Sequence, residues 1–214
     1  MKPYYQDESV TIYHGDCRDI MPELPKVDLV LTDPPYGLNT KMNGGSWGNT
    51  ASNPDEFHWD YLVEQKLIDE IISYADVSII WGGNYYKLPL SRCWLGWNKS
   101  QKMYSVSDFE LAWTNMDKPS KLWEESRNSD GERQHPTQKP LSLMKWCILQ
   151  VKDEPNIILD PFMGSGSTLR AAKNLNRQAI GIEIEEKYCE IAVRRLSQEV
   201  LPFNFGWEQE ENKT

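Results

Sequence analysis

Asp33, Pro34, Pro35 and Tyr36 follow directly on the apolar, β-branched run Leu29-Val-Leu-Thr32. A buried strand therefore stops abruptly and presents a carboxylate, a stiffened backbone and an aromatic ring together. The two prolines fix φ and remove two backbone donors, so their carbonyls only accept, and an ionised Asp33 likewise only accepts. Such a tip suits a substrate that brings its own N–H donors. A flat, amino-bearing base meets the requirement, with its ring against Tyr36 and its amino hydrogens toward Asp33 and the Pro34 carbonyl.

A second set of residues lies far along the chain. Asp160-Pro-Phe-Met-Gly-Ser-Gly-Ser-Thr168 follows a short apolar strand over Asn156–Leu159 and leads into a helix over Leu169–Leu175. Gly164 and Gly166 let the backbone approach a ligand where a side chain would intervene, and the start of the helix offers free N–H groups. Glu183 stands 23 residues after Asp160, at the end of the next strand (Ala179–Ile184). In dinucleotide-binding folds a carboxylate at that place captures ribose hydroxyls. The pattern is Gly-Ser-Gly rather than the full Gly-x-Gly-x-x-Gly, so a dinucleotide is not specified. By itself this turn reads equally as an ordinary strand-to-helix connection.

The elements that must position these residues follow from periodicity. Val10–His14 reads as a strand closed by Gly15-Asp16, and Asp19–Pro25 as a short helical or turn connection. The strand Val27–Thr32 delivers Asp33. Tyr61–Ala75 places Leu67, Ile68, Ile71 and Ile72 on one helical face, and Val77–Gly82 is a second buried strand, so strand, helix and strand imply a parallel sheet. Cys93–Lys99 and Phe109–Asn115 are short Trp-rich strands. Met116–Gln134 is polar and charged, with little structure expected of its own. His135-Pro-Thr-Gln-Lys-Pro140 leads into a helix over Leu141–Val151 whose first position suits Pro140. Glu185–Val200 places Tyr188, Ile191, Ala192 and Leu196 on one face of a last helix. The fold class expected is α/β, with a doubly wound, mostly parallel sheet.

Composition bounds the partners. The 214 residues fit one domain with a sizeable core. No apolar run approaches the roughly 20 residues of a membrane span, and the first residues lack the apolar stretch of a signal peptide, so a soluble, intracellular protein is expected. Cys17, Cys93, Cys147 and Cys189 have no paired short spacing, so no metal site is expected. His14, Asp16 and Cys17 likewise lack a partner set and read as a strand-end turn. The net charge of −9 argues against phosphate contacts. Between Lys87 and Lys145, however, ten basic residues outnumber seven acidic ones, which fits either a basic patch or a mixed solvated surface.

Taken together, Asp33-Pro-Pro-Tyr36, His135-Pro-Thr-Gln-Lys-Pro140 and Asp160-Pro-Phe-Met-Gly-Ser-Gly166 closely resemble the motifs of DNA amino-methyltransferases that use S-adenosylmethionine. With the catalytic motif first and the cofactor motifs last, the order resembles the beta class, DNA adenine N6-methyltransferases. The resemblance spans about Val10 to Leu196. It implies the class I methyltransferase fold in circularly permuted form, with the Asp33 and Asp160 strands as neighbours. It also implies a single methyltransferase domain over 1–214, with a loop insertion at 37–60, a short target-recognition segment at 116–134 and a frayed acidic tail at 206–214.

The resemblance further implies roles. Asp33, Pro34, Pro35 and Tyr36 form the catalytic tip that holds the target amino group and its ring, and Trp47 in the insertion covers the base. Asp160, Phe162, Gly164, Ser165 and Gly166 line the cofactor, Glu183 accepts its ribose hydroxyls, Thr137 and Lys139 hold its amino-acid end, and Asp16 with Cys17 borders its adenine. The partner implied is double-stranded DNA with a flipped adenine, in the cytoplasm of a prokaryotic or phage-infected cell. Relatives often dimerise, so a homodimer belongs to the same expectation. Asp rather than Ser at the first motif position favours adenine over cytosine N4. Methylation of RNA or of a protein amide, and a catalytically silent nucleic-acid-binding relative, are the alternatives.

Overall fold

The computed structural model describes residues 1–37, 62–100, 107–126 and 138–197. Nine strands form one sheet: β1 (Tyr5–Gln6), β2 (Val10–His14), β3 (Val27–Thr32), β4 (Ala75–Trp81), β5 (Trp94–Asn98), β6 (Phe109–Thr114), β7 (Lys121–Glu124), β8 (Ile157–Asp160) and β9 (Gln178–Glu183). Their order across the sheet is β1-β2-β9-β8-β3-β4-β6-β5-β7. The five central strands β2, β9, β8, β3 and β4 are parallel. β6 returns antiparallel beside β4, and β5 runs antiparallel to β6.

β3 sits in the middle because its sequence tolerates burial on both faces. All of it except Asp28 is buried, as expected of a strand covered by helices on two sides. Asp28 compensates its exposure by accepting from the amides of Asn156 and Ile157, each at 2.8 Å. That contact fixes the start of β8 beside β3.

Among the described residues five α-helices cover the sheet: α1 (Cys17–Ile20), α2 (Gln65–Ile72), α3 (Leu141–Leu149), α4 (Ser167–Asn174) and α5 (Glu186–Ser197). α1 and α2 bury Cys17, Ile20, Ile68 and Ile71 in one apolar layer. Leu143, Cys147, Leu169, Ala172, Cys189, Ala192 and Leu196 of α3, α4 and α5 pack in the other. Each fully buried Ile or Leu contributes about 1.5–3 kcal/mol by leaving water. The expected doubly wound, mostly parallel α/β sheet is observed. No described helix is long and apolar enough to cross a membrane.

The directions of the crossovers create the place for a site. From β8 the chain crosses through α4 to β9 on one side, whereas from β3 it crosses through α2 to β4 on the other. The carboxyl ends of β3 and β8 therefore border a topological switch point, where open parallel sheets bind ligands. The permuted arrangement is visible in the same order, since β8 and β9, late in the chain, lie between β2 and β3.

Two elements differ from the sequence expectation. Lys121–Glu124, within the supposedly structureless Met116–Gln134, forms the edge strand β7 and pairs in parallel with β5. Four residues with three charged or exposed side chains carry no period of their own, and the pairing comes from the neighbouring strand. Pro140 stands at the N-cap of α3 rather than its first position. The 37–60 insertion beyond Gly37 and the 206–214 tail lie outside the described residues.

Candidate active site

Asp33 leaves the carboxyl end of β3 already engaged. Its Oδ1 accepts from the Tyr36 hydroxyl, and its Oδ2 lies 2.5 Å from Lys139 Nζ. Burial, helped by the nearby negative charge of Glu110, pushes its carboxyl above the ordinary carboxylate value although Lys139 pulls it back. Burial and the Asp33 charge hold the Tyr36 phenol well above its usual pKa, so it stays a donor. The Tyr36 ring stacks on Tyr85 at 5.0 Å and 25°. Gly82, in the left-handed region at φ 65°, makes room for it, because a Cβ there would run into the ring. Tyr86 donates to the Pro35 carbonyl at 2.6 Å, pinning the Pro-Pro step.

The second constellation stands beside the first. Thr32 Oγ1 donates to Asp160 Oδ1 at 2.7 Å, joining the ends of β3 and β8. The same oxygen accepts from Phe162 N at 3.1 Å, closing the turn after β8. Burial raises the Asp160 carboxyl to about 6, against hydrogen bonds from Thr168 and Thr32 that favour its charge. Asp160 thus organises the turn.

Glu183 ends β9 on the far side of that turn. Its Oε2 accepts from Gly164 N at 2.9 Å, and its Oε1 from Glu185 N at 2.8 Å. Each oxygen keeps a lone pair for a further donor such as a hydroxyl. Burial raises its pKa. Gly164 adopts φ 50°, and nothing lies within 4 Å of where its Cβ would be. Open space over a glycine beside a fixed carboxylate is the geometry a nucleoside-bearing cofactor needs, so these residues fit one.

The other expected cofactor residues divide. Gly166 faces α5, where an added Cβ would meet Ala192 Cβ at 3.0 Å. Ser165 is buried, and its hydroxyl and carbonyl accept from Arg195 Nη1 at 3.0 and 2.6 Å. Both serve the joint between the turn and α5. Asp16 caps α1 through Arg18 N at 2.9 Å. It sits beside Glu183 because Gly15 N donates to Glu183 O at 2.9 Å. Cys17 is buried, its thiol pushed up to about 12 by burial, which excludes a thiolate nucleophile at neutral pH.

Lys139, expected at the amino-acid end of the cofactor, has its ammonium between Asp33 Oδ2 and Glu110 Oε2, at 2.5 and 3.1 Å, and 5.4 Å above the Trp81 ring. Two opposite charges in a buried setting outcompete any weaker partner. Glu110 itself pairs with Lys99 at 2.6 Å. Glu110 and Lys99 carry little signal in the sequence beyond a carboxylate inside the apolar strand Phe109-Glu-Leu-Ala-Trp-Thr114. Thr137, His135 and Trp47 lie outside the described residues.

Comparison with known proteins decides what this arrangement belongs to. The DNA methylase family model N6_N4_Mtase matches residues 80–194. The type II methyltransferase M2.MboI of Moraxella bovis is 31% identical, covering 94% of this chain and 93% of its own length. The chain belongs to the N6/N4 family of S-adenosylmethionine-dependent DNA methyltransferases. A crystal structure of an M1.HpyAVI–SAM complex superimposes with a TM-score of 0.59 at 28% identity, over 87% of this chain and all of that one. The cytosine-N4-specific PvuII DNA methyltransferase shares the fold at 18% identity and a TM-score of 0.56, over 92% of this chain and 96% of that one. The same fold therefore occurs in an enzyme specific for cytosine N4.

Proposed function

We propose that this methyltransferase modifies the exocyclic 6-amino group of adenine in double-stranded DNA, acting on a base flipped out of the helix. The observation that carries the reading is the Thr32–Asp160 contact, which sets the Asp33-Pro-Pro-Tyr36 tip beside the Gly164–Glu183 cradle. Asp33 at the first position of the tip supports adenine. Base stacking on Tyr36 offsets part of the cost of unstacking the nucleotide.

The cofactor supplies an electrophilic methyl group on a sulfonium. Glu183 would hold its ribose, and Gly164 leaves open space beside that carboxylate. An amino nitrogen on an aromatic ring is a poor nucleophile because its lone pair is delocalised. Asp33 and the Pro34 carbonyl, accepting its two hydrogens, favour a pyramidal nitrogen whose lone pair is directed at the methyl. The nitrogen would take up the methyl group that the bound cofactor supplies, with Asp33 placed to accept the amino proton released. Orientation of this kind accounts for up to about 7–11 kcal/mol of barrier in well-aligned reactions. No covalent enzyme intermediate is required.

The segments 37–60, with Trp47, and 116–134 are proposed to meet the DNA, and Thr137 to meet the cofactor. A prokaryotic cytoplasm, which the bacterial sources of the relatives support, and a homodimer on the duplex belong to the same reading. Labelled S-adenosylmethionine offered with DNA, RNA and protein, followed by nucleoside analysis, tests it. N6-methyladenine in DNA is expected. N4-methylcytosine would overturn the choice of base, and label in RNA or protein the choice of substrate.

A further inference from the structure

Both oxygens of Asp33 are taken by protein donors, Oδ1 by the Tyr36 hydroxyl and Oδ2 by Lys139. Each oxygen has a second lone pair, but the Lys139 ammonium holds Oδ2 in a charge-assisted bond at 2.5 Å, so a target amino group arriving at that oxygen competes with it. Lys139 is 7% exposed, and an ammonium stripped of its acceptor at such depth is costly. A replacement acceptor has to be within reach.

Glu110 meets that need. β6 runs antiparallel to β4, so its first residues reach the edge where the parallel strands end, and Gly82 N donates to Leu111 O there at 2.8 Å. Lys99, just past the end of β5, holds Glu110 Oε1 at 2.6 Å. Glu110 Oε2 is buried and makes no hydrogen bond among the described residues, yet stands 3.1 Å from Lys139 Nζ. It is a charged acceptor aimed at the same ammonium. Burial would raise the Glu110 carboxyl, but Lys139 and Lys99 bring it down to about 2, so it is ionised.

Resting on the reading of Asp33 as the amino-group acceptor, we propose that Lys139 stands in for the target amino group on Asp33 and is handed to Glu110 when the base arrives. Glu110 is thus a positioning residue, and Lys99 keeps it in place. No proton moves in the exchange; one ion pair replaces another. The other groups facing the cluster are Tyr36, Tyr86, Asp160 and Cys147, none of which offers Lys139 a second anion as near as Glu110.

Steady-state methylation by the wild type, Glu110→Gln and Lys99→Met tests the exchange. In Glu110→Gln the ammonium stays on Asp33. We expect kcat to fall at least tenfold with KM for S-adenosylmethionine changed less than twofold. The acid limb of kcat/KM for DNA should move to lower pH, because the charge that raises Asp33 is gone. In Lys99→Met the undivided Glu110 charge draws Lys139 away, so the limb should move to higher pH. Glu110→Asp, which keeps the charge, should recover part of kcat, and it replaces Glu110→Gln if that variant does not fold. Wild-type kcat and an unmoved acid limb in Glu110→Gln would overturn the exchange while leaving the function intact. A wild type that methylates no amino group would remove the functional reading, and the exchange with it.

Discussion

Thr32 Oγ1 donates to Asp160 Oδ1 across 2.7 Å, although 128 residues separate them in the chain. This bond ties the strand that ends in the substrate tip to the strand that opens the cofactor turn. Thr32→Val keeps the shape and removes the donor. A buried carboxylate oxygen losing one of its donors should cost about 1–3 kcal/mol. Denaturant melts should show that loss, and kcat should fall more than cofactor affinity, since the two half-sites lose their common alignment.

Asp160 predicts a pH dependence of stability. Its folded pKa, raised to about 6, exceeds the ordinary aspartate value of 3.8, so between these values the folded chain binds more protons than the unfolded one. Stability from this group is present below about pH 4 and is lost as pH rises through about 6. The loss amounts to about 3 kcal/mol at about 1.4 kcal/mol per pH unit. Asp160→Asn removes the titration while keeping an acceptor for Thr32 and Phe162. The wild type should lose stability relative to Asp160→Asn between pH 4 and 7, read from chemical denaturation at each pH. A constant difference between the two proteins would reject the assignment.

Glu183→Ala removes both the proposed acceptor for the ribose hydroxyls and the partner of Gly164 N. Hydrogen bonds to a charged group contribute about 1.5–3 kcal/mol, so S-adenosylmethionine should bind roughly 10- to 100-fold more weakly by calorimetry. Unchanged affinity would reject the ribose role.

Gly164→Ala and Gly82→Ala separate the two half-sites. The first adds a methyl into open space at φ 50°, at about 1–2 kcal/mol of backbone strain, and should weaken cofactor binding most. The second drives a methyl into the Tyr36 ring. It should lower kcat on DNA while calorimetric affinity for the cofactor holds.

Asp33→Ala deletes the acceptor proposed for the amino group and leaves the cradle untouched. Loss of a preorganised polar contact to the reacting group should cost at least about 10²–10³-fold in kcat. Cofactor affinity should stay close to wild type. Single-turnover methylation combined with calorimetry distinguishes this outcome from general unfolding.

Local chemistry made much of this site legible. The β3 tip announces itself because an apolar run ends in Asp33 and two prolines, and the β8-α4-β9 unit because its strand, Gly turn and helix are contiguous. Lys99, Glu110 and Lys139 were not legible in the same way. A charged residue in a sequence reads as solvated unless its partners are known, and theirs come from three separate elements. Two of the ten basic residues between Lys87 and Lys145 prove to be buried in ion pairs, at 3% and 7% exposure. They are therefore not part of any phosphate-binding patch. β7 escaped for a related reason, since an edge strand takes its conformation from the strand it joins.

By itself the sequence determined the local form of each half-site: an acceptor-only strand end at Asp33-Pro-Pro-Tyr36, and a glycine turn with its carboxylate at Asp160 to Glu183. These depend on residues adjacent in the chain, where φ restriction, donor loss and strand periodicity act locally. Only the tertiary structure decided that the halves share one sheet edge, that Ser165 and Gly166 face α5, and that Lys139 pairs with Asp33 and Glu110. Those outcomes depend on strand order and on competition between buried charges, which are set by which surfaces meet when the sheet closes around β3.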